Sequence, residues 1–131
     1  MNNLLTNIKG YYYSFIKGIK NLWFWIPIIW GDRDWDHAYI ENILYHKLVN
    51  TYNFLISDDA VTNWDVPEQD KAIRSLRICI TILERRRQNF YVDLCANVYE
   101  EHIVKLSFEI EQRDEKLLGQ LIGKYLSHWW D

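Results

Sequence analysis

An all-α fold is what this sequence predicts: a compact bundle of four or five helices, entered through an extended Trp-rich N-terminal connection. Three observations carry that expectation. Apolar residues recur at three- and four-residue spacing through most of the chain. Only two prolines and five glycines interrupt it, so the helices should be long. At 131 residues the chain has room for one domain, 1–131, with a core large enough to fold without disulfide or metal.

The first helix is expected over about residues 3–22, where Leu4, Leu5, Ile8, Tyr12, Phe15, Ile16 and Ile19 share a face. Gly10 and Gly18 weaken it, each by about 1 kcal/mol relative to alanine. Residues 23–30 include Pro27, which removes a backbone donor and disfavours helix in the residue before it. They are therefore expected to form the extended connection. The second helix should start at Asp34 and end near Ile56, with Ile40, Ile43, Leu44, Leu48, Tyr52 and Leu55 as its stripe. A loop follows over residues 57–64. Asp65-Val66-Pro67-Glu68 then reads as a helix start, with Asp65 as cap, Glu68 reaching back, and proline tolerated in the first turn.

That third helix carries Ile73, Leu76, Ile80 and Leu83 and ends at Arg85-Arg86-Arg87, where three cations meet the negative end of the helix dipole. The alternative for the arginines is an anion or nucleic-acid contact. Residues 89–111 are read as mostly helix, with a short strand through Val104, Leu106 and Phe108 as the competing pattern. A last helix is expected from Asp114 as cap, with Leu117, Leu118, Leu121, Ile122, Tyr125 and Trp129 on its face. Gly119 and Gly123 would leave a flat patch for a neighbouring helix, and the closing Trp129-Trp130 should dock near Trp30 and Trp35.

Charge narrows the partners. Net charge is −3, but Lys9, Lys17 and Lys20 give residues 1–31 a charge of +3 with no acid, while the remaining 12 basic and 18 acidic residues leave −6. An acidic body argues against binding of duplex nucleic acid, which asks for a basic face. The uncharged run from Asn21 to Gly31 is too short for a transmembrane segment, which takes about 20 residues. Lysines among Trp and Tyr would suit the surface of a membrane. Burial in a core or between subunits is the expectation preferred here. Trp23, Phe24, Trp25, Ile26, Ile28 and Ile29 are more large side chains than one short bundle can cover, so a homo-oligomer, dimeric or of higher even number, is expected. Cys79 and Cys95 match no metal-ligand spacing and read as reduced core residues. No cofactor is expected, and no nucleophile elbow, P-loop or dinucleotide fingerprint occurs.

The segment Asp32-Arg33-Asp34-Trp35-Asp36-His37 supports three readings. As a helix start, Asp34 caps and Asp36 faces the positive end of the dipole. As a nucleotide pocket, Arg33 would hold a phosphate, Trp30 or Trp35 would stack on a base, and Asp34 or Asp36 would accept ribose hydroxyls. Lys47, at the edge of the second helix's stripe, would add charge for a second phosphate. As a metal site, Asp32, Asp34, Asp36, His37 and Glu41 are hard ligands, with Glu100-Glu101-His102 in reserve, as in metal-dependent phosphodiesterases.

Several segments together carry a resemblance. They are Gly18-Ile19-Lys20-Asn21-Leu22, Trp25-Ile26-Pro27-Ile28-Ile29-Trp30, Asp32-Arg33-Asp34-Trp35-Asp36, then Leu44, Lys47 and Leu48, and finally Trp129-Trp130-Asp131. In these the chain resembles a group of small tailed-phage accessory proteins, over residues 18–55 and the last helix but hardly over 57–112. The resemblance implies a phage-encoded protein acting in the host bacterial cytoplasm. In being small, aromatic-rich and without catalytic motifs, the chain is also similar in kind to phage sponges. Those proteins sequester nucleotide immune signals, either ADP-ribose-type signals or cyclic dinucleotides. The function so implied is anti-defence capture of a small nucleotide signal without cleavage, by Trp30, Arg33, Asp34, Trp35, Asp36 and Lys47. The alternatives are a module docking on a host or virion protein through the Trp-rich N-terminal third, and a phosphodiesterase acting on the same signals.

Overall fold

A computed structural model describes residues 2–31, 37–57, 66–88, 90–95 and 100–129. These residues form five α-helices: α1 (Asn2–Ile29), α2 (His37–Leu55), α3 (Val66–Arg87), α4 (Phe90–Leu94) and α5 (Glu100–Tyr125). A 3-10 turn, Ser127–Trp129, follows. No strand occurs among the described residues, so the fold is all-α and the strand alternative for residues 104–108 falls away. The chain divides into two compact units, Met1–Ile43 and Leu44–Asp131, with the boundary inside α2.

The first unit holds α1 and the opening turns of α2. Here the structure corrects the expected extended connection, because α1 continues through Pro27 to Ile29, and Trp30 N–H still donates to the Ile26 carbonyl at 2.9 Å. Proline's fixed φ is itself helical, and near a helix end its missing N–H forfeits a single bond to the Trp23 carbonyl. The hydrophobic register also persists across it: Leu22, Trp23, Ile26, Ile29 and Trp30 keep the spacing of the residues before them.

The second unit is organised on α3. Its core gathers Leu48 and Leu55 of α2, Ala72, Leu76, Cys79, Ile82 and Leu83 of α3, Leu118 of α5, and Trp129. Leu76 and Leu83 of the expected stripe are fully buried, whereas Ile73 and Ile80 are half-buried flanks. The centre of the face is instead set by small residues, Ala72, Ser75 and Cys79, which let neighbouring side chains approach closely. At the start of α3, Pro67 sits in the first turn as expected, and Gln69 Nε2 donates to the last carbonyl of α2, that of Leu55, at 3.4 Å. Asp65 lies outside the described residues.

Three further expectations meet the structure. Asp114 does not cap a new helix, because α5 is continuous from Glu100 and carries Asp114 in its interior. The reason is visible in its partners: the Asp114 carboxylate is occupied by Arg85 and Tyr91 rather than by backbone N–H groups. The Gly119 and Gly123 patch meets open space, with nothing within 4 Å of where a Cβ would stand. Ile40, expected in the α2 stripe, is exposed.

Cys79 and Cys95 are both buried free thiols, in agreement with their reading as core residues. Burial pushes the Cys79 thiol from 9.0 up to about 11. A raised pKa means that the unfolded chain ionises first. The contribution of this group is therefore fully present below pH 9 and is lost as pH rises through 11. Denaturant titrations should show stability falling by about 1 kcal/mol per pH unit in this window from this group. Cys79→Ala should flatten the decline between pH 9 and 10, before tyrosines titrate. Identical slopes for the two proteins would refute the assignment.

Candidate functional site

The most conspicuous chemistry of the described residues lies along α1. From Ile8 onward, Tyr11, Tyr12, Phe15, Ile16, Ile19, Leu22, Trp23, Ile26, Ile29 and Trp30 fall on one arc of the helix surface, about 140° wide at 100° per residue. No polar residue breaks this arc. Such a face normally turns towards a core, yet here it faces outward: Tyr11 is 78% exposed, Trp23 75%, and Phe15 and Leu22 are more than half exposed. Burial in a core or between subunits is the expectation from sequence; within the chain itself Trp25, Ile26 and Ile28 are half-buried and the other residues from Asn21 to Gly31 are exposed. Four large side chains break the segregation, and two of them, Trp25 and Ile28, are half-buried outside the arc. Tyr13 stands outside the arc, as does Phe24, whose ring meets Trp25 edge-on at 5.2 Å.

The lysines are placed with equal order. Lys9 and Lys20 fall at the border of the apolar arc, next to Ile16 in projection, and Lys17 falls further round among Gly10, Ser14 and Asn21. All three are exposed. The helix thus combines a wide apolar strip, tyrosines and tryptophans with polar edges, and cations with no counter-charge in its own sequence.

Of the residues expected to form a nucleotide pocket, Trp30 closes α1 in the first unit and is 84% exposed. Directly after it, Gly31 allows a close approach: a Cβ there would lie 2.8 Å from the Tyr39 hydroxyl oxygen. Arg33, Asp34, Trp35 and Asp36 lie outside the described residues, as do Asp32 and the expected helix cap. Lys47 belongs to the second unit. It is exposed on α2 and lines a shallow groove of about 260 Å³ with Asn50, Thr51, Phe54 and Trp129. That is smaller than the roughly 300–1,000 Å³ usual for small-molecule sites. Trp129 lends the groove little ring surface, being 3% exposed with its indole N–H donated to Ser75 Oγ at 3.0 Å.

The three arginines occupy the last turn of α3 as expected, with Arg87 exposed, and they also reach side chains of neighbouring helices. Arg85 lies 3.2 Å from Asp114, and its guanidinium sits 4.9 Å from the Phe90 ring centre. Arg86 reaches Glu111 at 3.4 Å and Glu115 at 3.8 Å, and Arg87 covers the Tyr45 ring at 4.7 Å. Their charge is thereby committed to α5 and α2, which leaves little for an external anion. The acids that answer them lie almost thirty residues away in sequence, so no local pattern could have shown the pairing.

Beside them, the α2–α3 seam opens into a groove of about 400 Å³ lined by Tyr45, Tyr52, Asn53, Arg77, Thr81 and Glu84. Tyr45 donates its hydroxyl to Glu84 Oε1 at 2.9 Å, and burial followed by that hydrogen bond raises the phenol. Burial and then the nearby Arg87 charge lower His46. These shifts belong to a polar seam between helices, and the pair Tyr45–Glu84 satisfies itself. Among the described residues no group of three or more His, Cys, Asp and Glu side chains gathers as a metal site. No helix among them is long and apolar enough to cross a membrane. No family model, curated protein or solved structure matches the chain.

Proposed function

We propose that this is a non-enzymatic docking protein, in which the helical second unit is the scaffold and α1 engages an external partner. The single observation that carries this reading is the outward-facing apolar arc of α1. A contiguous exposed apolar surface on a folded chain marks an interaction site, because leaving it in water forgoes about 25 cal/mol for each Å² that a partner would cover. Ile19→Glu combined with Trp23→Glu tests it, since both residues lie on exposed positions and neither belongs to the buried core cluster. Sedimentation of the intact chain, with and without liposomes, should show wild type either above its 16.0 kDa monomer mass or bound to vesicles. The double variant should run as a free monomer with an unchanged melting temperature. A wild type that is already a free monomer under both conditions would end this reading.

A second reading is capture of a nucleotide signal, as in the phage sponges that the chain resembles in kind. Its support is the Trp30 indole, 84% exposed and three residues before Arg33. In this reading Trp30 or Trp35 stacks on adenine, Arg33 holds phosphate, and Asp34 or Asp36 accepts ribose hydroxyls. Arg33→Ala should keep the melting temperature and lose capture, measured as intact ligand released by heat from protein incubated with cyclic ADP-ribose or a cyclic dinucleotide. Unchanged capture by the variant would remove Arg33 from the site.

A further inference from the structure

We infer that the partner of α1 is an anionic lipid surface, on which the helix lies flat with its apolar arc in the headgroup–acyl boundary. This rests on the docking reading above and names its occupant.

Geometry comes first. The 28 residues of α1 make a rod of roughly 42 Å at 1.5 Å per residue, and none of the described helices has the composition of a membrane span. A long helix with a broad apolar strip and lysines along one margin is stable in the plane of a bilayer, not across it. The width of the arc also discriminates between partners. A second helix covers a narrow seam of about two positions in seven. A lipid surface covers a broad strip, and the arc of about 140° is a broad strip.

Side-chain chemistry points the same way. Tyr11, Tyr12, Trp23 and Trp30 each join an apolar ring to a polar edge, and such rings settle at the headgroup level. Lys9 and Lys20, at the border of the arc, have flexible stems that reach along apolar surface while the ammonium stays among phosphates.

Charge then selects an anionic surface over a second copy of α1. Residues 1–31 carry +3 and no acid, so a second copy of this helix offers its lysines no counter-charge. Paired helices are normally flanked by opposite charges. Anionic headgroups answer Lys9 and Lys20 at the border of the arc, while Lys17, on the far side of the helix, adds only to the overall positive charge. The remainder of the chain carries −6 and is repelled by the same surface, so contact is confined to α1.

Flotation of the intact chain with vesicles tests the assignment. Vesicles of phosphatidylcholine with 30% phosphatidylglycerol are compared with pure phosphatidylcholine at ~0.1 M salt, where screening beyond about 10 Å is already strong. Wild type is expected to bind the anionic vesicles at least tenfold more tightly, and binding should weaken as salt rises. Lys9, Lys17 and Lys20 changed together to Gln should reduce binding to the level of the neutral vesicles, with the melting temperature unchanged. Ile19→Glu with Trp23→Glu should abolish binding to both. Equal binding of wild type to the two vesicles, or full binding by the lysine variant, overturns the inference. If wild type ignores vesicles but forms an oligomer that Ile19→Glu with Trp23→Glu dissociates, α1 docks on protein. In that case the lipid assignment alone fails.

Discussion

Trp129→Ala is expected to destabilise the protein by about 3–5 kcal/mol, the usual range for truncating a buried tryptophan. The ring is 3% exposed and belongs to the same cluster as Leu48, Leu76 and Leu83. Its indole N–H donates to Ser75 Oγ at 3.0 Å, and that hydroxyl in turn donates to the Ala72 carbonyl at 2.8 Å. Two contributions are therefore lost together, the apolar area and a satisfied polar chain inside the core. They can be separated. Trp129→Phe keeps most of the area and should cost less than the alanine change. Ser75→Ala strands the indole N–H, which should cost about 1–3 kcal/mol. Ser75→Ala combined with Trp129→Phe should cost less than the two changes summed, because neither partner is then left without the other. Urea midpoints of the four proteins provide the measurement. A midpoint for Trp129→Ala within error of wild type would mean that the ring is not a core residue.

How much of this was legible beforehand depends on the range of each interaction. Helix type and most helix positions follow from apolar spacing, which is local, and burial of Trp129 follows from its place on an apolar face, while the expected neighbours Trp35 and Trp130 lie outside the described residues. Its partner does not: Ser75 is a small polar residue in α3, and nothing in its neighbourhood of sequence marks it as an acceptor for an indole 54 residues away. Pro27 misled for a different reason. Its rule as a helix breaker outweighed the periodicity of Leu22, Trp23, Ile26 and Ile29, which continues through it. Once that periodicity is followed, the apolar arc and the bordering lysines of α1 can be read from sequence alone. What no pattern shows is that the face stays uncovered, because coverage depends on elements distant in the chain. The segment around Arg33 and Asp34 lies outside the described residues, so its reading still rests on residue types and resemblance.

Asp114→Ala should produce the next largest loss, about 2–3 kcal/mol, because one carboxylate oxygen serves three helices. Asp114 Oδ2 on α5 accepts from the Tyr91 hydroxyl of α4 at 2.9 Å and from Arg85 Nη1 of α3 at 3.2 Å. The two partners are not equal. The Arg85 side chain is 40% exposed against 14% for Asp114, so solvent screens their ion pair and it contributes at most about 1 kcal/mol. Tyr91 is buried, and stranding its hydroxyl carries most of the cost, about 1–3 kcal/mol. Tyr91→Phe in the Asp114→Ala background should therefore recover part of the loss, whereas a purely electrostatic role would leave it unrecovered. Asp114→Asn keeps an acceptor oxygen and should cost about 1 kcal/mol. The pH dependence gives an independent check. Burial, followed by the hydrogen bond to Asp114, raises the Tyr91 phenol above its ordinary 10.0. The associated stability is intact below pH 10 and declines above it, because the unfolded chain releases its proton first. Removing the carboxylate charge lowers that rise, so Asp114→Asn should lose stability less steeply above pH 10 than wild type does. Parallel curves for the two proteins would show that the Tyr91 hydroxyl does not depend on this carboxylate.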